Sequence, residues 1–335
     1  MPRLNRQELV ALARTALERA GVRASAAQAT ADALVLADMQ GLATHGVSRV
    51  PMYVGMIRQG RADPAAECKV LAHHGAVCLV DAQEQVTGYE ACALGVREAV
   101  ERAKKLGVGF AGVTNSSHCG VVANNLLPIA AAGLVGIGFS NAPAAIPAWG
   151  GKRGFFGTNP IAAVFPRREA DPIIVDLSLT TVVRGTIMLA AERGESIPEG
   201  WALGPDGRPT TDPKAALVGS LFPVGGAKGA MLALVVELLV TTLTGAAFGF
   251  EADSFFKENG NTPRIGQAFL AIDPGSLAGR GVYFSRVETL VTAMLADPDV
   301  RMPGERRHRA FAEATAHGIE VPDDLLNKLR ALAQA

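Results

Sequence analysis

Apolar residues recur every three or four positions near the start of the chain, a spacing that predicts an amphipathic helix. Asn5 followed by Glu8 predicts a capping box at its first turn, and Gly21 predicts its end. Ser25 followed by Gln28 predicts the start of a second helix. The apolar face of the first helix consists of Leu9, Leu12, Ala13, Ala16 and Leu17.

Farther along, short apolar runs alternate with longer amphipathic or apolar segments, as is typical of α/β proteins. The runs that predict strands span residues 68–71, 76–80, 108–114, 134–140, 172–177 and 266–272. Helices are predicted up to Gly60 and over residues 89–106, 121–132, 181–192, 230–243 and 285–296. The apolar segment 230–243 is shorter than a membrane span and contains Glu237, so we expect a buried helix.

Composition supports this fold class and argues against several kinds of partner. Hydrophobic residues make up 49% of the 335-residue chain but aromatic residues only 5%, so we expect an aliphatic, glycine-rich core. Lys plus Arg equals Asp plus Glu at 32 each, which argues against nucleic acid or an acidic membrane surface as a partner. The four cysteines form no C-x-x-C pair, as expected in a reducing cytoplasm, and the charged N-terminal segment is unlike a secretory signal.

One polar stretch, Ala43–Val50, stands between two predicted helices and carries candidate chemistry. It places the imidazole of His45, the hydroxyl of Thr44 and the guanidinium of Arg49 within a few positions. An imidazole can act as a general acid near neutral pH, and a guanidinium can bind a carboxylate through two hydrogen bonds. These residues predict proton transfer beside a bound anion; the alternative is a solvated connection whose side chains only cap helices.

Two loops at helix starts are candidate anion sites, because free backbone N–H groups at a helix N-terminus attract negative charge. The first, Asn115–Gly120, follows a strand and contains His118; a capped helix with a packed His is the alternative. The second, Pro223–Gly229, contains Lys228 but lacks the spacing of a Walker A motif. Asp176 closes another predicted strand, a position where open α/β sheets place ligands.

Other motifs carry less information. Gly107–Gly112 matches G-x-G-x-x-G, but a helix precedes it and a strand lies inside it, so we reject a dinucleotide fingerprint. His73 and His74 lack a third metal ligand at suitable spacing, and nothing near Cys119 marks a thiolate. Arg301–Arg307 holds three arginines around a Pro-Gly turn, which suits either the 2′-phosphate of NADP or a solvated charged face.

A set of short motifs occurs in one order along nearly the whole chain: Thr-His-Gly-Val-Ser-Arg, Asn-Ser-Ser-His-Cys-Gly, Trp-Gly-Gly-Lys, Gly-Thr-Asn-Pro-Ile, Asp-Leu-Ser, Ile-Pro-Glu-Gly-Trp-Ala, Thr-Thr-Asp-Pro and Gly-Gly-Ala-Lys-Gly. Together they resemble the malate/L-lactate dehydrogenase family, whose nicotinamide site is not a Rossmann fold. Within it the chain is most similar to the Δ1-piperideine-2-carboxylate/Δ1-pyrroline-2-carboxylate reductases. Ala227 stands where hydroxyacid dehydrogenases often carry His, and Ser254-Phe255-Phe256 and Gly266-Gln267 resemble the reductase branch.

The resemblance implies a function and a fold. The function is NADPH-dependent reduction of cyclic ketimines, to L-pipecolate or L-proline, by hydride transfer to the imine carbon, with NADH as the other candidate cofactor. The fold is α/β, with a mixed-sheet NAD(P)-binding domain of seven-stranded type and a helical substrate domain formed by both termini. The expected divisions are residues 1–115, 116–280 and 281–335, in a homodimer.

The resemblance also implies roles at matching positions. His45 would donate the proton with Thr44 beside it, and Arg49 would bind the substrate carboxylate in a pocket that Thr158, Arg184 and Gly185 also line. NADPH would be held by four segments: His118, Cys119, Gly120, Val121 and Val122; Asp176, Leu177 and Ser178; Ala227 and Lys228; and Arg301, Met302, Pro303, Gly304, Glu305, Arg306 and Arg307.

Two departures from the family pattern bear on the mechanism. Thr44 replaces a Ser that often precedes the catalytic His, and it keeps the hydroxyl. Thr186 replaces an Asp that joins a relay in some reductases, so His45 would depend on hydroxyl contacts or water, with His118 as the reserve acid. Two other functions stay open. One is a 2-hydroxyacid dehydrogenase for malate, lactate, ureidoglycolate or sulfolactate, and the other is a cofactor-binding protein without turnover.

Overall fold

The computed structural model describes residues 1–257 and 259–334. The helices are α1 Arg6–Arg19, α2 Ala24–Met39, α3 Val50–Arg58, α4 Tyr89–Leu106, α5 Val122–Ala131, α6 Arg184–Arg193, α7 Pro213–Val218, α8 Ala227–Thr241, α9 Arg280–Leu295, α10 Glu305–His317 and α11 Asp323–Gln334. The strands are β1 Arg3–Leu4, β2 Lys69–His74, β3 Val77–Asp81, β4 Val108–Ser116, β5 Val135–Ser140, β6 Ile146–Pro147, β7 Gly154–Phe156, β8 Ile161–Phe165, β9 Ile173–Leu177, β10 Ala202–Leu203, β11 Pro209–Thr210, β12 Ser220–Leu221, β13 Ile265–Ile272 and β14 Ile319–Glu320.

Local hydrogen bonds explain where the first two helices begin. The predicted capping box at α1 is confirmed, because the Asn5 side chain accepts the Glu8 N–H and the Glu8 carboxylate accepts the Asn5 N–H, both at 2.9 Å. The second helix begins at Ala24, one residue before its predicted start, and ends at Met39. Arg23 occupies the N-cap position, and its guanidinium donates a hydrogen bond to the Ser25 hydroxyl.

A seven-stranded sheet in the order β2-β3-β4-β13-β5-β8-β9 forms the centre of the molecule. Within this sheet β3 and β4 pair in parallel and the other neighbouring strands pair antiparallel, so the expected mixed sheet is confirmed. The G-x-G-x-x-G match begins at Gly107, which ends α4, and continues inside β4, so a helix precedes it and a strand lies within it as the sequence indicated. A Cβ at Gly109 would lie 2.0 Å from the Ala99 carbonyl oxygen, so this glycine permits close packing of α4 on β4.

Helices cover both faces of this sheet. Ala111, Val113 and Phe269 pack with residues of α4 and α5 in one core, whereas Ala268 on the other face packs with Ala233 and related residues of α8. Successive residues of a strand point to opposite faces, which explains how neighbours in β13 enter different cores. The result is a three-layer arrangement in which the loops at the strand ends remain accessible.

A separate helical core joins the two ends of the chain. Leu9 of α1, Leu34 of α2 and Leu329 of α11 share one buried cluster, and β1 pairs with β14. Strand pairing begins before residue 116, since β2, β3 and β4 already belong to the seven-stranded sheet. A division drawn by strand pairing would therefore place residues 69–116 with the sheet, and the expected boundary at 115 stays a prediction.

The apolar helix near the middle of the sequence departs from expectation. Ala230, Ala233 and Val236 of α8 are buried, but Met231 and Val235 are 48% and 51% exposed. The expectation of a buried helix therefore holds for the side that meets the sheet and not for the opposite side. Within residues 1–257 and 259–334, no helix combines the length and apolar character needed to cross a bilayer.

Candidate functional site

The polar stretch after α2 folds into two successive 3₁₀ turns, Ala43–His45 and Val47–Arg49. The carboxylate of Asp38, near the end of α2, accepts the Val47 N–H at 2.8 Å and braces the second turn. Burial raises the pKa of Asp38 to about 6, and the hydrogen bond from Val47 opposes the rise. The sequence interpretation missed Asp38, because it lies on a helix whose pattern indicated only packing.

His45 is partly buried and contacts a hydroxyl rather than a carboxylate. Its Nδ1 lies 3.0 Å from the Thr44 Oγ1, and its ring stacks on that of His118 with 5.7 Å between centroids. Burial, with smaller contributions from the Arg49 and Arg307 charges, lowers the pKa of His45 to about 4. The imidazole is therefore neutral near pH 7 and can accept a proton.

His118 is tied to two buried tyrosines that the sequence interpretation missed. The Tyr53 hydroxyl lies 2.7 Å from the His118 Nδ1 and 3.4 Å from the Tyr89 hydroxyl. Burial raises the pKa of both tyrosines and lowers that of His118, with a smaller contribution from His45 to the latter. When Tyr53 donates to Nδ1, the remaining proton of His118 is on Nε2.

Arg49 points its guanidinium at the same cluster without an acidic partner. Its Nε donates to the Thr44 carbonyl oxygen at 2.6 Å, and its guanidinium lies 5.1 Å from the Phe256 ring centroid. Phe255 contacts the His118 ring edge-on at 5.5 Å. Among the described residues, Arg49 forms no ion pair. A partly buried guanidinium of this kind is suited to a carboxylate ligand.

The C-terminal arginine segment reaches this cluster through one residue. Arg307 donates to the Asp176 carboxylate at 2.9 Å, and Asp176 also accepts the Ala123 N–H at the start of α5. Asp176 thereby joins the His118 loop to α10. Arg301 and Arg306 are exposed and form no ion pair with the described residues, so they are free to meet a phosphate.

The loop His118–Val122 leads directly into α5. The Asn125 amide donates to the carbonyls of Cys119 and Val121, both at 3.2 Å, and so fixes the loop from inside the helix. Cys119 is 4% exposed, so its side chain packs in the interior beneath this loop. Val121, the N-cap residue of α5, makes no side-chain hydrogen bond, but the Ala123 N–H already donates to Asp176 and the Asn124 N–H donates to the Val121 carbonyl oxygen. Among the described residues this leaves the Val122 N–H for an anion.

The start of α8 is a second candidate site for a phosphate group. Gly226 occupies the N-cap without a side-chain hydrogen bond, and nothing lies within 4 Å of a Cβ built at Gly225. Lys228 forms no ion pair or hydrogen bond with the described residues. Free N–H groups, open space and an unpaired ammonium suit the phosphates of a nicotinamide dinucleotide.

The remaining predicted residues are not hydrogen-bonded to the His45–Arg49–His118 cluster within the described chain. The Thr158 carbonyl accepts the Leu179 N–H at 2.9 Å, and the Ser178 hydroxyl lies 2.7 Å from that of Thr180. Arg184 donates to the Leu217 carbonyl oxygen, whereas Gly185 is exposed. The expected α6 starts later than predicted because the Thr181 N–H donates to Phe222.

Metal chemistry finds no support in the part of the chain that the structure describes, where no group of three His, Cys, Asp or Glu could hold an ion. His73 and His74 are exposed on β2. The described residues bring together two imidazoles, a guanidinium without an ion pair and the uncapped start of α8 beside a mixed sheet. This combination is expected of a class of protein that binds a phosphorylated cofactor and an organic anion, and in which an imidazole exchanges a proton with that anion.

Comparison with known proteins identifies the family. The chain matches the malate/L-lactate dehydrogenase family over residues 4–330 and belongs to it. It is therefore an oxidoreductase with a fold shared by the dehydrogenases of that family. The resemblance seen in the ordered motifs is confirmed.

Relatives within the family differ in the substrates for which they are named. The (2R)-3-sulfolactate dehydrogenase (NADP(+)) of Chromohalobacter salexigens is 46% identical over 98% of this chain and 97% of its own length. The Δ1-pyrroline-2-carboxylate reductase of Ancylobacter novellus is 35% identical over 98% and 97%. The structure of the Δ1-piperideine-2-carboxylate reductase of Pseudomonas syringae superimposes with a TM-score of 0.93, at 32% identity over 99% and 100%.

Proposed function

We propose that the chain interconverts a 2-hydroxy acid and its 2-oxo acid with NADP(H), and that the acid carries a second anionic group, as 3-sulfolactate does. The observation that carries this proposal is the charge around His45. The guanidiniums of Arg49 and Arg307 both act on its imidazole, and Asp176 neutralises only Arg307. The net positive charge favours an anionic substrate, and a relative 46% identical is named for a sulfonated hydroxy acid.

The neutral imidazole of His45 suits this reaction in the direction of oxidation. Arg49 binds the carboxylate and fixes the orientation of the adjacent carbinol carbon. The Nε2 of His45 accepts the hydroxyl proton, while the Thr44 hydroxyl holds its Nδ1. In the reverse direction the same imidazole, once protonated, donates to the developing alkoxide. No acidic relay is required, so Thr186 is compatible with this reaction.

The cofactor supplies hydride transfer when bound. Lys228 and the N-terminus of α8 would hold its phosphates, together with the start of α5. Arg301 and Arg306 would bind the 2′-phosphate that distinguishes NADPH from NADH. The preference for NADPH rests on these exposed arginines and on the NADP(+) in the name of the Chromohalobacter relative.

Reduction of cyclic ketimines is the second candidate, and the aromatic wall favours it. Phe255 and Phe256 lie against His118 and Arg49, where ring methylenes could pack. The relatives named as pyrroline- and piperideine-carboxylate reductases support it as well. A cyclic imine that is already protonated in water depends less on proton donation by His45. The low pKa of His45 therefore does not oppose this reaction.

A side-by-side assay separates the two candidates. Oxidation of 3-sulfolactate, malate and lactate would be followed at the nicotinamide absorbance with NADP⁺ and with NAD⁺. Reduction of Δ1-pyrroline-2-carboxylate and Δ1-piperideine-2-carboxylate would be followed with NADPH and with NADH. We expect the highest kcat/KM with 3-sulfolactate and NADP⁺. Turnover of the cyclic imines alone would select the second candidate, and cofactor binding without turnover of any acid would leave a binding protein.

Replacing Arg49 tests the substrate-binding role directly. Arg49→Ala should raise the KM of the preferred acid by about ten- to a hundredfold, because a hydrogen-bonded ion pair contributes roughly 1.5–3 kcal/mol. The dissociation constant of NADPH should stay unchanged. Arg58→Ala, at the exposed end of α3, is the matched control and should retain the wild-type KM. Equal KM values for the two variants would show that Arg49 does not bind the substrate.

We also propose a homodimer as the working form. Met231, Val235 and Leu238 are spaced along one side of α8 and are between 44% and 51% exposed. An apolar stripe of this kind on a soluble domain commonly marks a contact with another chain. The cytoplasmic location inferred from cysteine usage stays a prediction, which the four free cysteines support.

A further inference from the structure

Glu237 is a buried carboxylate to which the proposed reaction assigns no role. It lies on α8, the helix whose first turn carries Ala227 and Lys228, and it is 2% exposed. No lysine, arginine or histidine among the described residues pairs with it. Burying an unpaired carboxylate is costly unless hydrogen-bond donors surround it.

Four donors from three separate segments meet this carboxylate. Its Oε1 accepts the Gly249 N–H at 2.6 Å and the Asn141 side-chain amide at 3.3 Å. Its Oε2 accepts the Asn159 side-chain amide at 2.7 Å, and the Gly157 N–H also donates to the carboxylate. Every partner is a donor, which matches an acceptor-only carboxylate.

Two of these donors flank Thr158. Asn159 has a positive φ of 39°, which is uncommon for a residue with a side chain, and its amide also donates to the Ala233 carbonyl of α8 at 2.8 Å. The backbone on both sides of Thr158 is thus fastened to the middle of α8. We define the Thr158 loop as Gly157–Pro160. Among the described residues, this loop forms no hydrogen bond with the start of α8.

We propose that Glu237 is a positioning residue that sets the distance between the substrate-binding Thr158 loop and the cofactor-binding end of α8. The inference rests on the proposed function, in which Lys228 holds the cofactor, and on the family resemblance, which implies that Thr158 lines the substrate pocket. A rigid helix connects Glu237 to Lys228, so a loop fastened to Glu237 is held at a fixed distance from the cofactor. Hydride transfer depends steeply on that distance.

The test uses an isosteric change with a matched control on the same helix. Glu237→Gln places an amide N–H against donors and should release the Thr158 loop. Thr241→Val removes an equally buried polar group that bonds only to its own helix, through the Glu237 carbonyl at 2.7 Å. Asn159→Gly removes the loop-side partner while tolerating the positive φ, so it tests the same link if Glu237→Gln fails to fold.

Substrate KM, the isotope effect with NADPH deuterated at the transferred hydrogen, and the NADPH dissociation constant would be measured. We expect Glu237→Gln and Asn159→Gly to raise KM by about tenfold and to increase the isotope effect, with cofactor affinity within about twofold of wild type. Thr241→Val should match the wild type throughout. An active wild type whose Glu237 and Asn159 variants keep their KM overturns this inference alone. A wild type inactive on the whole panel overturns the proposed function together with it.

Discussion

His45 shows how neighbouring charges set the working state of a single side chain. Its burial already disfavours the imidazolium, and the guanidiniums of Arg49 and Arg307 disfavour it further. A bound substrate anion would oppose those charges, so the pKa should rise when substrate binds. The imidazole is then a base in the free enzyme and a competent proton carrier in the complex.

The pH profile should reveal the contribution of Arg307. In hydroxy acid oxidation, kcat/KM requires neutral His45 in the free enzyme, so the wild type should keep its activity well below pH 6.5, the ordinary value for His. Arg307→Met removes a positive charge that repels the imidazolium, which raises the pKa of His45. The acid limb should therefore move to higher pH. Arg309→Met, exposed on the same helix, should leave the limb in place; a common limb for both variants would contradict this electrostatic account.

The sequence indicated only part of the residue-level site. His45, Arg49 and His118 could be singled out because polar groups stand out at the ends of apolar segments. Tyr53 and Tyr89 could not, since an aromatic residue in an apolar pattern predicts packing, and the fold brings them to His118 from distant parts of the chain. Arg307 was linked to cofactor by its neighbours, but its partner Asp176 becomes visible only in three dimensions.

Among the elements, the segment from Ala43 to Arg49 depends most on its neighbours. Two short 3₁₀ turns have little stability of their own. Asp38 holds the second turn through Val47, and Gly46 lets the backbone approach that carboxylate closely. The conformation of the segment thus depends on its contact with α2. The sequence predicted the helix boundaries on either side of the segment, but not this contact.

Adding a methyl group to Gly46 should disturb this segment specifically. A Cβ at Gly46 would lie 1.8 Å from the Asp38 carboxylate, so Gly46→Ala must displace one or the other. We expect a loss of about 1–3 kcal/mol in the free energy of unfolding and a large fall in kcat. Gly55→Ala in α3 has nothing within 4 Å of its Cβ, and it should be neutral or stabilising by up to about 1 kcal/mol. Denaturant unfolding and steady-state kinetics would compare the two variants. Equal kcat values for Gly46→Ala and Gly55→Ala would show that the contact between Asp38 and this segment does not support activity.

At the scale of the whole molecule, the sequence predicted the class of fold but not the order of the strands. The runs over residues 108–114, 134–140 and 266–272 all become strands, β4, β5 and β13. Their spacing along the chain cannot reveal that β13 lies between the other two, because pairing depends on contacts that sequence neighbours do not make. The sequence also could not predict that one face of α8 is exposed. In a segment that is apolar throughout, periodicity does not show which side packs against the sheet.

That face should determine the oligomeric state. Val235→Asp introduces a charge into the apolar stripe of α8 and should shift a dimer to a monomer, as measured by light scattering across a concentration series. Leu71→Asp is the control, since Leu71 is 49% exposed on β2, an edge strand that tolerates charge. A dimer that survives Val235→Asp would show that α8 does not form the interface.

The central place of β13 also dictates how the protein must be made. β4 and β5 leave the ribosome long before Ile265, yet each needs β13 along one side. Until that strand is synthesised, the nascent chain carries two half-sheets with unpaired inner edges, which are the surfaces most prone to wrong pairing. Sheet completion therefore occurs late in synthesis, and a chain that stops before Ile265 lacks the strand that joins its halves.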